Sequence, residues 1–225
     1  MNIQKLSIAT ALTISAIAGI SVAQSASAGE LVKNGSFEST PTPLSNGGWS
    51  TYNAIEGWKA TDGGKIEIQR GAAGKAFDGS NLLELDSHHY NKNASVLGVF
   101  QDLVTEIGKT YTLSFAYSAR PGTAAAQNNF SVLFGDSFKQ TIQGSQGGNQ
   151  TLWNNFTTSV TATSALTRLQ FNYEGTRDTL GAYIDNVGVA SSAEAAPEPT
   201  TMAGMALAGL AVAYRKKLAL RKRTA

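Results

Sequence analysis

Large amphipathic side chains beside loop-forming segments are the first candidates for chemistry in this sequence. Five lie next to stretches rich in Gly, Pro or Asn: Trp49, His88, Tyr90, Arg120 and Trp153. Sugars present flat C–H faces that stack on aromatic rings, and hydroxyl groups that need a few well-placed polar partners. We interpret the five as a saccharide-binding surface, and for Trp49 and the 88–90 loop a packing role is an equal alternative.

Two carboxylates are the candidates for catalysis. Glu84 and Asp86 alternate within the predicted strand 81–86, which places them on one face about 6.6–6.8 Å apart. Glycosidase carboxylates lie at comparable separations, but they come from different elements and flank a cleft. Two alternating acids on one strand instead predict a solvent-facing side. The sequence also lacks GxSxG, HExxH and any Cys, so we predict that the protein is not an enzyme.

The elements that must position these residues are predicted to be strands. Within 109–122, Tyr111, Leu113 and Phe115 alternate with polar residues, which is the period of a half-buried strand. Residues 95–103 form a second β-rich run, joined to the first by a short connection at 106–108. We therefore predict that the two runs pair as an antiparallel hairpin at the centre of the fold.

The rest of the body also has the pattern of β-structure. Roughly ten to twelve short strands are separated by turn signals, and no amphipathic helix is evident. A jelly-roll β-sandwich suits a body of about 160 residues. The chain contains no Cys, so its stability must come from the core, the sheets and any bound metal.

The two ends differ from the body. Residues 1–28 have the charge, apolar run and small-residue ending of a secretory signal peptide. A small-residue linker at 191–196 precedes the tail 197–225, which begins with Pro197, Glu198 and Pro199. The apolar run 200–214 follows, and a basic cluster that opens with Arg215, Lys216 and Lys217 closes the chain. The run is shorter than the roughly 20 residues of a stable span, which suits a temporary anchor whose basic tip stays inside.

This order of segments resembles the PEP-CTERM sorting signal of Gram-negative bacteria. The resemblance implies recognition by an exosortase, a membrane transpeptidase, with processing near the PEP motif. It implies export to the cell surface or extracellular matrix, with transient anchoring in the inner membrane through the C-terminal transmembrane helix. A plain tail anchor is the alternative.

The charge of the body differs from that of the whole chain. Residues 29–196 contain 11 Lys and Arg against 15 Asp and Glu, a net charge of 11 − 15 = −4, whereas the whole chain has +2. The basic excess therefore belongs to the tail. A nucleic-acid-binding domain would have a basic face on its folded part, so we predict no nucleic-acid partner.

Six short motifs of the body occur in an order that resembles a known family. They are Asn-Gly-Ser-Phe-Glu at 34–38, Ile-Glu-Gly-Trp at 55–58, Phe-Asp-Gly-Ser with Leu-Glu-Leu-Asp at 77–86, Phe-Gln-Asp-Leu at 100–103, the 111–122 strand, and Tyr-Ile-Asp-Asn-Val at 183–187. The set is similar to the galactose-binding-like jelly roll, and within it to DUF642 and related carbohydrate-binding modules. The resemblance implies a jelly-roll domain over 29–190.

The same resemblance implies a structural Ca²⁺ that ties the first strand to the last, at Glu38 and Asp185. Calcium takes several oxygens at once from carboxylates and carbonyls. The alternative is that the two carboxylates cap turns or pair with nearby Lys.

The sequence thus favours an exported, non-catalytic module that binds polysaccharide. A structural matrix or surface protein without a saccharide site is the alternative, and a glycan hydrolase is less favoured. Convergence of Trp49, Tyr90, Trp153 and Arg120 on one concave patch would favour the binding module, and scattered positions the structural protein.

Overall fold

The computed structural model describes residues 29–88 and 93–191, and this part of the chain is almost entirely β-structure. One 3₁₀ turn is present at Ala125–Asn128. The twelve strands are β1 (Gly48–Tyr52), β2 (Ala54–Ile55), β3 (Trp58–Ala60), β4 (Ile66–Arg70), β5 (Leu82–Glu84), β6 (Leu97–Val104), β7 (Thr110–Ser118), β8 (Phe130–Phe134), β9 (Phe138–Ile142), β10 (Asn154–Thr161), β11 (Leu166–Tyr173) and β12 (Tyr183–Ser191).

The strands form two six-stranded antiparallel sheets. Sheet A has the order β1-β4-β5-β12-β7-β10, and sheet B has the order β2-β3-β6-β11-β8-β9. Numbered from β5, the last eight strands lie in the orders 1-8-3-6 and 2-7-4-5. This is the arrangement of a jelly roll, in which two Greek keys wrap around each other. The predicted all-β jelly-roll sandwich is therefore confirmed.

The hydrophobic core lies between the sheets. Trp58, 1% exposed, contacts Phe37 and Phe171 at ring-centroid distances of 5.4 and 6.2 Å. From the other sheet, Phe115 meets Phe171 edge-on at 5.1 Å. Edge-on and offset rings are the favoured aromatic geometries. The alternating apolar residues of β7 thus supply the core, as its sequence predicts.

The predicted pairing of the two central runs is wrong. β6 lies in sheet B and β7 in sheet A, and residues 105–109 carry the chain from one sheet to the other. Each strand has one apolar face, and both faces pack into the same core from opposite sides. β6 instead pairs with β3 and β11, and β7 with β10 and β12.

The outer face of sheet A carries polar residues that are buried. In the strand register, Glu67 of β4 lies opposite Glu84 of β5, which lies opposite Tyr183 of β12. All three are at most 1% exposed, and Asp86, which follows β5, is also buried. The prediction of a solvent-facing side at Glu84 and Asp86 is therefore wrong, because loops cover this face.

Within residues 29–88 and 93–191, no helix has the length and apolar character needed to cross a membrane. The predicted signal peptide, linker and sorting tail lie outside the described residues, apart from Ser191, and so does Tyr90.

Candidate functional site

The loop of residues 71–80, between β4 and β5, covers part of the outer face of sheet A, and it is fixed by two carboxylates. The backbone N–H groups of Phe77 and Asp78 donate to Asp185 Oδ2 at 2.7 and 3.0 Å. Those of Ser80 and Asn81 donate to Glu38 Oε1 at 2.7 and 2.6 Å. Four backbone N–H groups at the end of the loop thus donate to carboxylates from distant parts of the chain. These hydrogen bonds hold the loop in one conformation.

The middle of the 71–80 loop is held by the segment that precedes β10. Thr151 Oγ1 and the indole Nε1 of Trp153 both donate to the Lys75 carbonyl at 3.0 Å. The Trp153 ring meets Phe77 edge-on at 5.9 Å. The approach at Gly74 is close, because a Cβ there would lie 2.4 Å from the Thr151 methyl carbon. The loop therefore presents Lys75 and Phe77 from a fixed backbone.

Two open depressions flank this loop. One, of about 470 Å³, is lined by 71–76 together with Asn149, Gln150 and Trp153. The other, of about 420 Å³, is lined by Asn46, Arg70 and Ser80 and by loop residues. Both share Gly71, Lys75 and Ala76. Together they form a polar surface with Lys75 at the middle, which we call the loop surface.

A buried polar network lies on the outer face of sheet A. Gln69 Nε2 donates to Glu67 Oε1 at 3.1 Å and to Glu84 Oε2, and the Tyr183 hydroxyl donates to Gln69 Oε1 at 2.9 Å. The Arg120 Nε lies 2.9 Å from Glu84 Oε1. Buried polar groups are stable only when they are hydrogen-bonded, and the carboxyl groups of Glu67 and Glu84 both accept hydrogen bonds within this network.

The network also fixes neighbouring loops. Glu84 Oε1 accepts the backbone N–H of Gly181 at 2.8 Å, and Glu67 Oε2 accepts that of His88 at 2.9 Å. Asp86 Oδ2 accepts the backbone N–H groups of Asp178 and Thr179 at 2.9 and 2.7 Å. The buried acids thus hold two loops around the outer face, the one between β5 and β6 and the one between β11 and β12.

Burial and nearby negative charge raise the pKa values of Glu84 and Tyr183. Burial, followed by the neighbouring Glu67 carboxylate, raises the pKa of Glu84 to about 9, against the lowering effect of Arg120. Burial also raises the pKa of Tyr183, helped by the charge of Glu84. Glu84 therefore keeps its proton at neutral pH, which removes one of two like charges placed side by side.

An aromatic pair stands over the β1 side of the network. The rings of Trp49 and His88 stack at a centroid distance of 4.3 Å, and His88 Nδ1 lies 2.8 Å from Glu67 Oε2. The Trp49 side chain remains 42% exposed. The buried Glu67 carboxylate thus orients the His88 ring, and the Trp49 ring stacks on that ring while part of its own surface faces solvent.

The structure brings some of the predicted ligand residues together. Trp49, His88 and Arg120 are linked through the network of Glu67 and Glu84, whereas Trp153 lies with the 71–80 loop. Residues 71–80 were missed as a candidate site, because the sequence predicts a loop over 71–79 and residues 77–80 served only as part of a family motif. Their signal was weak, because one Lys and one Phe in a Gly- and Ala-rich stretch resemble any exposed loop.

Glu38 and Asp185 do approach a common element, as the resemblance implied for the first and last strands. The oxygens that bind the 71–80 loop accept N–H groups, and Asp185 Oδ1 accepts a third N–H, from Asn186 at 2.7 Å. Burial raises the pKa of Asp185 to about 7, although these N–H donors lower it. No group of three or more His, Cys, Asp or Glu in the described residues lies together as a metal site. Two carboxylates facing N–H donors do not form a calcium shell by themselves, and the calcium site stays a prediction.

Several solved structures follow a similar course of strands. An arabinose-bound α-L-arabinofuranosidase, MgGH51, matches 74% of this chain over 27% of its own length, with 13% identity and a TM-score of 0.49. A CBM4 structure matches 72% of this chain over 99% of its own, with 18% identity and a TM-score of 0.43. TmCBM61 in complex with beta-1,4-galactotriose matches 72% over 99%, with 13% identity and a TM-score of 0.45. Likeness at these identities says nothing about the ligand of this chain.

Family models match two parts of the sequence. No curated protein matches the chain. The PEP-CTERM protein-sorting motif matches residues 195–217, which confirms the sorting signal. The model described as DUF642, a protein of unknown function, matches residues 30–190. This match spans the whole jelly roll, and the chain belongs to the DUF642 family.

Proposed function

We propose that this protein is exported, sorted through its C-terminal PEP motif to the cell surface or matrix, and binds polysaccharide at the loop surface without catalysis. The observation that carries the proposal is the fixed 71–80 loop, whose residues line two open depressions. The exposed ring of Phe77 packs edge-on against Trp153, which lines one of them. Pre-organised sites bind better because little freedom is lost when the ligand arrives. Phe77 is 42% exposed, so a sugar ring can stack on it.

The position of the acids supports binding without reaction. Glycoside hydrolysis needs two carboxyl groups that flank the scissile bond. Glu67 and Glu84 are at most 1% exposed, and neither depression is lined by an acid. A saccharide on the loop surface would therefore meet aromatic, amide and cationic groups, which can hold it but cannot act as a general acid and nucleophile.

A second candidate function is that of a structural surface protein without a saccharide site. Val104 and Leu166 are cross-strand neighbours in sheet B, and with Ile107 they are 77%, 59% and 71% exposed. Exposed apolar clusters often mark contact surfaces. This cluster lies on other elements than the loop surface, so the two candidates can be separated by mutation.

The test is electrophoresis of the full chain through gels that contain single polysaccharides, in a zwitterionic detergent. A detergent with a sugar head group would compete with the ligand. We expect retardation by at least one polymer, and loss of it in Phe77→Ser, because the stacking ring is gone. Val104→Ser is the matched control, since it also removes an exposed apolar side chain. Unretarded wild-type protein, or equal retardation of both variants and wild type, would contradict the loop surface as the site.

A Trp49→Ala variant tests whether the stacked pair of Trp49 and His88 takes part in binding. Loss of retardation in this variant with Phe77→Ser unaffected would move the site to Trp49 and His88, as the sequence alone predicted. Loss in both variants would mean that the ligand spans the two pairs.

A further inference from the structure

We propose that the polysaccharide bound at the loop surface is anionic, carrying carboxylate or sulfate groups that Lys75 and Arg70 recognise. The inference rests on the proposed function and adds the chemical class of the ligand. Its starting point is that the two side chains are the only charged groups among the residues that line the depressions in the described part of the chain.

Neither cation has an acidic partner among residues 29–88 and 93–191. Other Lys and Arg side chains of this part of the chain do approach acids: Lys109, Lys139 and Arg168 form ion pairs, and Arg120 lies 2.9 Å from the Glu84 carboxyl group. Arg70 Nε donates to the neutral Asn46 Oδ1 at 3.0 Å, which orients the guanidinium without neutralising it. Its terminal N–H groups are suited to the two oxygens of a carboxylate or sulfate.

The acids near the loop are directed elsewhere. Asp185 and Glu38 use their carboxylates to hold loop amides. Asp78 is the loop's own acid, and its Oδ2 accepts the Ser36 hydroxyl at 2.8 Å. The cations therefore set the charge of the depressions, although residues 29–196 have a net charge of 11 − 15 = −4. The two cations at the depressions are therefore not simply part of a domain that is basic overall.

The position of Lys75 favours a polymer over a free sugar. Its backbone is held by Thr151 and Trp153, and both depressions are lined by it. A chain of at least two sugars could occupy both depressions while one acidic group meets Lys75. Asn149, Gln150 and Ser80 supply hydrogen-bonding groups for the hydroxyls.

The test compares polymers that share a backbone and differ in charge. Full-chain protein is run through gels of polygalacturonate, of its methyl ester, of a sulfated galactan and of a neutral galactan. We expect binding to one of the charged polymers at least tenfold tighter than to its neutral counterpart, and weaker binding as salt increases. The polyuronate and sulfated arms identify which anionic group is recognised.

Single substitutions distinguish recognition of the polymer by Lys75 and Arg70 from non-specific attraction between opposite charges. Lys75→Gln and Arg70→Gln should each weaken binding to the charged polymer about tenfold, since a hydrogen bond between charged partners is lost. Lys59→Gln, an exposed residue of sheet B, changes the net charge equally and should leave binding unchanged. An equal effect of all three variants would mean non-specific attraction and would overturn the proposal.

The remaining outcomes distinguish this inference from the proposed function. Binding to neutral polymers alone, lost in Phe77→Ser, would refute an anionic ligand and leave the carbohydrate-binding function standing. Absence of binding to every polymer would refute both. Salt-insensitive binding that Lys75→Gln does not alter would likewise overturn the role of the cations.

Discussion

Replacing Glu84 by Gln should leave the stability close to that of wild type at pH 5 and make the variant the more stable protein at pH 8. The group is buried beside Glu67, and its pKa is raised from the ordinary 4.5 to about 9. Below pH 4.5 it is protonated in both the folded and the unfolded chain. Above that, the unfolded chain loses the proton while the folded chain keeps it. The stabilising contribution of protonation is therefore lost progressively as pH rises towards 9.

The size of the effect follows from the shift. Each pH unit between the two pKa values changes the free energy of unfolding by about 1.4 kcal/mol for one proton. By pH 8 the wild type has lost on the order of 3 to 5 kcal/mol through this group alone. Gln is neutral at every pH and resembles the protonated acid, so the variant should differ from wild type by about 1 kcal/mol or less at pH 5. At pH 8 the variant should be the more stable protein.

Urea unfolding followed by tryptophan fluorescence at pH 5, 6, 7 and 8 measures this difference. The slope of the free energy against urea should be the same for both proteins, so that the difference reports stability. Other titrating groups, including Asp185, affect both proteins alike and cancel in the comparison. Glu56→Gln, an exposed acid, is the control and should follow wild type. Parallel curves for wild type and Glu84→Gln would refute the reasoning, since Glu84 would then be ionised in the folded chain.

Two further perturbations test the 71–80 loop and its carboxylates. Gly74→Ala should lower the Tm by roughly 3 to 10 °C, because overpacking costs about 1 to 3 kcal/mol and the new Cβ would lie 2.4 Å from a threonine methyl carbon. Gly148→Ala, with nothing within 4 Å of the added Cβ, should leave the Tm unchanged, and an equal fall in both variants would contradict the close packing. If calcium binds at Glu38 and Asp185, millimolar calcium should raise the Tm over that in a chelator, and Glu38→Gln should abolish the increase. An identical Tm in both buffers would contradict the calcium site.

The sequence predicts which face of a sheet a side chain occupies better than it predicts which strands pair. The alternation of Leu113 and Phe115 places both in the core, as observed, because a period of two assigns each side chain to a face. The same period gives no information on which strand lies alongside. β6 and β7 were therefore predicted to pair, although the chain crosses between sheets at 105–109.

The burial of the outer face of sheet A could not be predicted from the local sequence pattern, for a related reason. Glu67 and Glu84 alternate with apolar residues, which is typical of a strand with one wet side. Whether that side is wet depends on loops from elsewhere, here including the 71–80 loop fixed by Glu38 and Asp185. The family resemblance placed these two acids near one another. Their observed role, holding backbone amides, depends on a loop conformation that no motif in the sequence specifies.

The direction of β12 has a practical consequence for experiments with the immobilised protein. Tyr183, at the start of β12, lies beneath Gly74 of the 71–80 loop, whereas Ser191 at its end is paired with Tyr111 at the start of β7. Eight residue steps along a strand correspond to roughly 26 Å. A sensor chip, bead or label attached through a cysteine introduced at Ser191 would therefore lie at the opposite end of β12 from Tyr183, against which the 71–80 loop packs. Because the chain has no native Cys, such attachment would be unique and would leave the depressions open to dissolved polymers.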